Sequence, residues 1–401
     1  MKNHNIFFVL LALSVSFQLQ AQDTVTIKNI NEPVIYTIGY NRVPDQYNVP
    51  LIGFINVAKG NYSGLQLGFT NSTADSFKGI AIGFTNSVGD SNIGGLIGFM
   101  NTVGDSSKGL TVGFFNTVGD SGTGAQIGFF NTLGDSFHGL HVGFFNTIGD
   151  SANGIQAGFF NTLGDSFHGL QTGFFNTLGD NAAGLQIGFF NTMGNSFRGI
   201  QLGFVNTVGN SVEGVELGFL NTTPKLRGLQ LGFINRIDTV EKGIPVGFLT
   251  FVKKGGYQAL EVGASGMYPL NISYKTGIKQ FYTSLVFSYS PVSHNHFAFG
   301  MGVGTIIPIN NTLSFNPEVL TQSTYTVNWD QIHSLHLNAV YKLSDRFSLV
   351  AGPTLVWNHL NDGTIFHKPV FSLYTTELNS KNNLLIGLNV AARFSIGKFE
   401  K

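Results

Sequence analysis

The sequence predicts an all-β protein in which a repeat β-solenoid is followed by a small antiparallel β-barrel of outer-membrane type, with about eight strands. Three observations support this fold class. A 15-residue repeat fills the middle of the chain, apolar and polar residues alternate with period two after it, and 52 glycines among 401 residues disfavour long helices. The predicted organisation is a signal peptide (1–21), an N-terminal segment or cap (22–50), a tandem repeat array (51–254) and a barrel-like domain (255–401).

The N-terminus has the pattern of a secretory signal peptide. Lys2 supplies a positive charge, residues 6–17 are almost entirely apolar, and Leu19-Gln20-Ala21 fits a cleavage site. The apolar stretch is too short to span a membrane. The chain has no cysteine, so stability after export must come from packing and hydrogen bonds. We therefore expect an exported protein.

The repeat is measured most easily by its Gly-Phe pair. The spacing between successive pairs is 15 residues, except for one step of 14 after Phe219. Such regular periodicity is typical of repeat architectures. The phenylalanines of the pair are Phe54, Phe69, Phe84, Phe99, Phe114, Phe129, Phe144, Phe159, Phe174, Phe189, Phe204, Phe219, Phe233 and Phe248.

Each unit reads as a strand followed by a turn. In the unit that starts at Gly184, we expect Leu185, Ile187, Phe189 and Asn191 to share one face of a strand. Gly-Asp-Ser or Gly-Asn-Ser then supplies the turn. In a solenoid, Leu, Ile and Phe would form internal columns, and the asparagine amides would bond between coils. The predicted structural repeat ladder is Phe69, Asn71, Phe84, Asn86, Phe99, Asn101, Phe114, Asn116, Phe129, Asn131, Phe144, Asn146, Phe159, Asn161, Phe174, Asn176, Phe189, Asn191, Phe204 and Asn206.

Two alternatives stay open at this point. Identical strand-turn units can also build one large up-and-down barrel that includes the repeats. Phenylalanine in the turns at Phe77, Phe137, Phe167 and Phe197 gives a 30-residue super-period over the middle of the array, which fits a barrel hairpin, a solenoid with two units per coil or a duplication of paired units. The aspartate column from Asp75 to Asp180 would also repel itself by about 0.9 kcal/mol per neighbouring pair at a spacing of about 4.8 Å in water. On these grounds we expect a solenoid with about 30 residues per coil.

The last third of the chain reads as longer amphipathic strands. Phe281, Leu285 and Phe287 alternate with smaller or more polar residues, and other segments up to Phe394 repeat this pattern. About eight strands are expected, with aromatic residues near their ends, as in membrane barrels.

The repeat motif is specific enough to identify a resemblance. "GLQLGFTN" (64–71), "GLQIGFFN" (184–191) and "GLQLGFIN" (228–235) resemble the units of a bacterial surface-repeat family, with tandem repeats of about 15 residues. The resemblance covers residues 51 to about 252, and "GIPVGFLTFVKKGGYQALEVG" (243–263) is similar to the junction in members with a C-terminal β-region. It implies surface or outer-membrane placement and no catalytic residues. The glutamine position varies here (Ala81, Thr111, His141), so we do not expect a fixed ligand there.

No motif in the sequence predicts catalysis, and we expect no enzyme and no resident cofactor. His138, His141 and His168 lack the spacing of a metal site and are interpreted as turn residues. The pattern leaves open one ion, Ca²⁺ at the aspartate column, although its ligands are sparse. No glycine-rich phosphate loop opens a helix, and the formal net charge is zero, which argues against a nucleic-acid partner.

A second aromatic row is the one feature that indicates a function. The residue after the Gly-Phe pair is itself phenylalanine in the middle of the array, and an exposed row of this kind would contact a partner, a lipid surface or another sheet. We therefore expect a non-enzymatic surface or outer-membrane repeat protein with a structural or adhesive role, and an outer-membrane pore is the alternative. Expected partners are outer-membrane lipid and a protein or glycan surface. The second row is Phe115, Phe130, Phe145, Phe160, Phe175 and Phe190.

Overall fold

The computed structural model describes residues 33–291, 297–324, 329–361 and 372–396. It confirms the predicted fold class, because these residues form a β-solenoid of about 12 coils followed by a closed eight-stranded antiparallel barrel. Within the same residues no helix is long and apolar enough to cross a membrane. The predicted signal peptide lies outside the described residues.

The solenoid is built from short strands, most of which pair in parallel with the strands of neighbouring coils. The last of them, β21, runs without interruption through the final coils. The strands are β1 Ile35–Tyr36, β2 Tyr40–Val43, β3 Leu51–Ile52, β4 Ile55–Ala58, β5 Tyr62–Leu67, β6 Thr70–Thr73, β7 Phe77–Ile82, β8 Thr85–Val88, β9 Asn92–Ile97, β10 Met100–Val103, β11 Ser106–Val118, β12 Ser121–Leu133, β13 Ser136–Val142, β14 Phe145–Ile148, β15 Ser151–Ala157, β16 Phe160–Leu163, β17 Phe167–Leu178, β18 Ala182–Met193, β19 Ser196–Leu202, β20 Val205–Val208 and β21 Ser211–Lys254.

The strand register gives 15 residues per coil. Asn101 is paired with Asn116, and Asn116 with Asn131, in parallel strands. Parallel stacking starts at β2, where Asn41 is paired with Asn56. The expectation of about 30 residues per coil is therefore wrong. The alternative of one large up-and-down barrel is also wrong, since its neighbouring strands would be antiparallel.

Backbone hydrogen bonds between turns explain why the aspartate column tolerates close stacking. The Asp105 amide donates to the Asp90 carbonyl at 2.9 Å, and the Asp120 amide donates to the Asp105 carbonyl at 2.8 Å. The free energy lost to repulsion between exposed carboxylates in water is smaller than the free energy gained from such a continuous row of backbone hydrogen bonds. At the N-terminal end of the column, partial burial and the charge of Asp90 raise the pKa of Asp75. Electrostatic repulsion between the aspartates therefore does not set the coil length.

The second part of the chain closes into a barrel. β22, β23, β24, β25, β27, β28, β29 and β31 pair in this order, all antiparallel, and β31 pairs back with β22. The two remaining strands, β26 and β30, pair on β27 and β31. The strands are β22 Gly256–Ala264, β23 Leu270–Ile278, β24 Phe281–Tyr289, β25 Phe297–Gly304, β26 Ile307–Pro308, β27 Leu313–Thr324, β28 Gln331–Lys342, β29 Phe347–His359, β30 Ser372–Asn379 and β31 Asn382–Ser395.

The barrel has an apolar outside and a polar inside. Side chains such as Phe299, Leu349 and Val390 are exposed on its outer surface, whereas Lys275 and Glu318 are buried inside. A water-soluble barrel has the opposite arrangement, because its apolar residues fill the core. Strands that alternate apolar-out and polar-in are typical of barrels in membranes.

The two ends of the barrel differ. At the near end, where the chain enters from the solenoid and where β31 finishes, the connections are residues 279–280, 305–312 and 343–346. At the far end they are residues 265–269, 290–296, 325–330 and 360–381, and the last of these contains β30. The longest connection therefore belongs to the far end.

The last solenoid coil contacts the outside of the barrel wall. Thr276 and Thr283 are paired with each other on β23 and β24, and their side chains point away from the barrel interior, yet both are buried. The Thr276 hydroxyl donates to the Thr250 carbonyl, and the Thr283 hydroxyl donates to the Gly247 carbonyl at 2.6 Å. These bonds satisfy carbonyls of the final coil that have no further coil to bond with.

Apolar packing continues the same contact. Ile278, at the end of β23, is buried in the same cluster as Val252 and the other core residues of the solenoid. The barrel wall therefore closes the C-terminal end of the solenoid core, and the stack of coils meets the wall end-on.

Candidate functional site

Each coil is a flattened loop with two edges. One edge is the bend at the Gly-Phe pair, and the other is the Gly-Asp-Ser turn. In the coil that contains β18, the inward side chains are Ala182, Gln186, Asn191 and Met193. The expectation that Leu185, Ile187 and Phe189 form internal columns is wrong, because these side chains point outward.

The Gly-Phe bend explains this reversal. Leu185 and Ile187 alternate with the inward Gln186 as in an ordinary strand, but Phe189 and Phe190 both point outward at the bend, and Asn191 is the next inward residue. A Cβ on Gly188 would lie 2.5 Å from Nδ2 of Asn176 and 2.7 Å from Oδ1 of Asn191, so only glycine fits there. Strict period-two alternation would place Leu185, Ile187 and Asn191 on the same face. Because of the bend, the first two point outward and Asn191 points inward.

The asparagines of the predicted repeat ladder form a continuous row inside the solenoid. Asn176 Nδ2 donates to Oδ1 of Asn191 at 2.8 Å and to the carbonyl of Ile187 at 2.9 Å. The same pair of bonds recurs from coil to coil, and the row starts at Asn41 and reaches Asn235. Each amide from Asn41 to Asn221 thus bonds the asparagine at the same position of the next coil, and Asn235, the last of the row, bonds Oγ1 of Thr250 at 3.4 Å.

A second internal row occupies the glutamine position. Gln186 Nε2 donates to Oε1 of Gln171 at 2.7 Å, and Gln201 Nε2 donates to Oε1 of Gln186 at 2.6 Å. Glu216 follows Gln201 in this row and is fully buried, and Gln230 Nε2 donates to its Oε2 at 2.6 Å. Oε1 of Glu216 and Oε1 of Gln201 are buried without a partner. A proton on Glu216 would let it donate to Gln201 and continue the row.

Burial raises the pKa of Glu216 to about 8, from an ordinary value of 4.5. A raised pKa in the folded state means that the contribution of this group to stability is complete below about pH 4.5 and is lost as the pH rises through about 8. We expect Glu216→Gln, which keeps the row without a charge, to stabilise the solenoid by about 3 kcal/mol at pH 7 and to leave it unchanged at pH 4.

Hydrogen exchange of solenoid peptides in the full chain, corrected for intrinsic exchange rates, measures this effect at each pH. Glu213→Gln is the matched control, since Glu213 is exposed in the same coil and should give no change at either pH. Equal protection of wild type and Glu216→Gln at both pH values would contradict a protonated Glu216.

The phenylalanines of the predicted repeat ladder form an exposed aromatic stack along the bend. Phe159 and Phe174 stack with ring centroids 4.9 Å apart and an interplanar angle of 0°, and the spacing is similar from Phe54 to Phe248. The second row stacks beside it, and the rings of Phe174 and Phe175 meet at 65°. Most rings of the first row are about two-fifths exposed. At roughly 200 Å² per ring, this row alone leaves on the order of 1,000 Å² of aromatic surface uncovered.

Two aliphatic columns flank these rings on the other side of the bend. They correspond to Leu185 and Ile187 in their coil, and together with the two phenylalanine rows they form what we call the phenylalanine edge. From residue 64 to residue 249, the four columns contain no Asp, Glu, Lys, Arg or His. A stripe of this length, about 60 Å for 12 coils, exceeds the apolar patches of ordinary soluble proteins.

The opposite edge is polar. The Asp75–Asp180 column lies at this turn, and Lys108, His138, His168 and Arg198 are exposed close to it. His141 is instead fully buried in the glutamine row, so the structure separates it from His138 and His168. Burial lowers the pKa of His141 to about 3. In the described part of the chain, no three His, Cys, Asp or Glu side chains are grouped to hold a metal.

The barrel interior contains a charge-balanced network. Lys275 Nζ lies 2.6 Å from Oε1 of Glu318 and 3.5 Å from Oε1 of Glu261. Arg393 bonds Glu261 through Nε at 2.5 Å and Asn316 through Nη2 at 2.7 Å. The pattern of the sequence did not single out these residues, because each stands alone in a different strand. A cavity of about 30 Å³ beside Lys275 and Glu318 has room for about one water molecule, and a cavity of about 610 Å³ lies between Arg393 and the near-end connections.

No family model, curated protein or solved structure matches this chain. The candidate site is therefore defined by its geometry, namely an apolar barrel surface, an ion-paired barrel interior and the phenylalanine edge.

Proposed function

We propose that this chain is a non-enzymatic outer-membrane repeat protein, exported by its signal peptide, with a structural or interaction role. The barrel anchors the protein in the outer membrane, and the solenoid presents an extended surface beside it. The observation that carries this proposal is the inverted polarity of the barrel, whose outward side chains are apolar and whose inward side chains are polar and ion-paired. The resemblance of the repeats to bacterial surface repeats supports the same placement.

The ion-paired interior favours an anchor over the alternative of a pore. Lys275, Arg393, Glu261 and Glu318 meet across the lumen, and the cavity that Lys275, Glu261 and Glu318 line has a volume of only about 30 Å³. A larger cavity of about 610 Å³ lies on the near-end side of Arg393. Small eight-stranded barrels have interiors just wide enough to be filled by side chains. An ion path would require this buried network to come apart, which is costly for paired charges.

Planar bilayer recording tests the proposal. The mature full chain, folded into lipid, is expected to insert and to show no stepwise conductance above the leak of the bilayer. Insertion is checked on the same preparation by the shift in electrophoretic mobility between unheated and heated samples. Regular conductance steps would support a pore instead, and failure to insert into any bilayer would overturn the anchor.

A further inference from the structure

We expect the phenylalanine edge to be covered by lipid or by another molecule, because exposure of about 60 Å of aromatic and aliphatic side chains to water is unfavourable. We propose that this edge lies in the bilayer that surrounds the barrel, so that the solenoid rests along the membrane with its rings among the lipids. This inference rests on the proposed function, since it assumes a barrel in the membrane.

The way in which the two parts meet gives the first support. Thr276 and Thr283 belong to the outer surface of the wall, and they bond the carbonyls of the final coil. The coils stack along the axis of the solenoid, so a stack that meets the wall end-on leaves the barrel sideways. A barrel that spans a membrane has its axis across the bilayer. The solenoid then extends parallel to the membrane surface.

The height of the contact gives the second support. The Thr276–Thr283 pair is the third pair from the near-end turn, after Ile278–Phe281 and Gly277–Tyr282. At about 3.3 Å per residue, the contact lies within about 10 Å of the end of the strands. The apolar band of a membrane barrel is about 25 Å tall, so the solenoid meets it close to one membrane surface.

The chemistry of the edge favours lipid over a protein partner. Protein interfaces carry about one hydrogen bond per 100–200 Å². The four columns of the edge offer almost no side-chain donors or acceptors, and their rare polar residues are threonines such as Thr70, Thr85 and Thr172. The backbone groups of the coils are paired with neighbouring coils, as contact with hydrocarbon requires. The polar edge, with its aspartates, remains in water, as in other amphipathic elements at membrane interfaces.

The near end identifies the leaflet. Short turns of outer-membrane barrels lie on the periplasmic side, and the longer loops lie outside. Here the near end holds the connections 279–280, 305–312 and 343–346, whereas the longest connection, 360–381, belongs to the far end. The proposed contact is therefore with the phospholipid of the periplasmic leaflet.

Fluorescence quenching by lipids brominated on their acyl chains tests this contact in the full chain. The two native tryptophans, Trp329 and Trp357, both lie in the barrel region, so the solenoid has no tryptophan of its own. A protein that keeps only Trp357, which is exposed on the outer surface of the barrel, reports insertion of the barrel. Phe174→Trp in a Trp329→Phe/Trp357→Phe background reports contact between the phenylalanine edge and the acyl chains. Phe129→Trp in the same background, three coils earlier, reports the same contact at a second position. Ser166→Trp, on the opposite exposed edge, is the matched control.

We expect phosphatidylcholine vesicles with brominated chains to quench the tryptophans of Phe174→Trp and Phe129→Trp at least twofold, about as strongly as Trp357, and to leave that of Ser166→Trp unchanged. Quenching of Trp357 without quenching at positions 174 and 129 would overturn the lipid contact and leave the anchor intact. In that case a dimer by sedimentation would identify a second copy as the occupant. No quenching of Trp357 would overturn the anchor itself.

Discussion

Glu318→Ala is expected to destabilise the folded barrel by about 3–5 kcal/mol. Glu318 places both carboxylate oxygens within 2.7 Å of Lys275 Nζ, and both side chains are buried. Without Glu318, Lys275 keeps only Glu261 at 3.5 Å, which also bonds Arg393. A buried charge that loses its close partner is costly. Urea unfolding of the full chain with Trp329→Phe in lipid vesicles, followed by Trp357 fluorescence, measures the loss.

The double variant Lys275→Met/Glu318→Leu is the matched control for this effect. Replacement of both partners by apolar residues of similar volume is often close to neutral, because no unpaired charge remains. We expect it to recover more than half of the stability that Glu318→Ala loses. If the double variant is as unstable as Glu318→Ala, the network stabilises the folded barrel through packing and not through charge pairing.

Gly94→Ala is expected to break the stack of coils, at a cost of about 4 kcal/mol or more. Gly94 has a φ of 136°, and a Cβ there would lie 2.0 Å from the Gly79 carbonyl oxygen of the preceding coil. Neither the backbone nor the neighbouring coil can relieve this clash without loss of inter-coil hydrogen bonds. In a repeat protein each coil is stabilised mainly by its neighbours, so the coils before Gly94 should lose protection first.

Hydrogen exchange of the full chain tests this, and Gly95→Ala provides a control one residue away. A Cβ on Gly95 would meet only Cγ1 of Ile80, at 3.9 Å, which is ordinary contact. We expect Gly95→Ala to keep wild-type protection, and Gly94→Ala to expose residues 40–93 while the coils next to the barrel stay protected. Similar profiles for the two variants would contradict the stacked register at this position.

Much of the fold follows from the sequence because the repeat and the alternation are strong. The 15-residue spacing predicts stacked units, and the change to longer alternating strands after Gly255 predicts a second β-domain. The N-terminal boundary of the solenoid is less clear from the sequence pattern. Asn41 already belongs to the asparagine row, although the predicted array starts at residue 51.

The sequence could not predict the inward and outward faces of the coil. Leu, Ile and Phe are ordinarily buried, so an internal column of these residues was the natural expectation. The structure buries the amides of residues such as Asn191 and Gln186 instead. Those amides bond amides at the same position of neighbouring coils, a property that no single unit reveals. If both surfaces contact lipid, the aromatic edge and the barrel wall are apolar for the same reason, namely that their surroundings are hydrocarbon and not water.

Electron cryomicroscopy of the mature full chain in a lipid nanodisc is the most direct test of the central claim, that a membrane barrel holds a solenoid against the bilayer. We expect a barrel within the disc and a rod about 60 Å long that lies along one face of the disc, with its phenylalanine edge in contact with lipid over most of its length. A rod that projects away from the disc, or a barrel that remains outside the lipid, would contradict it.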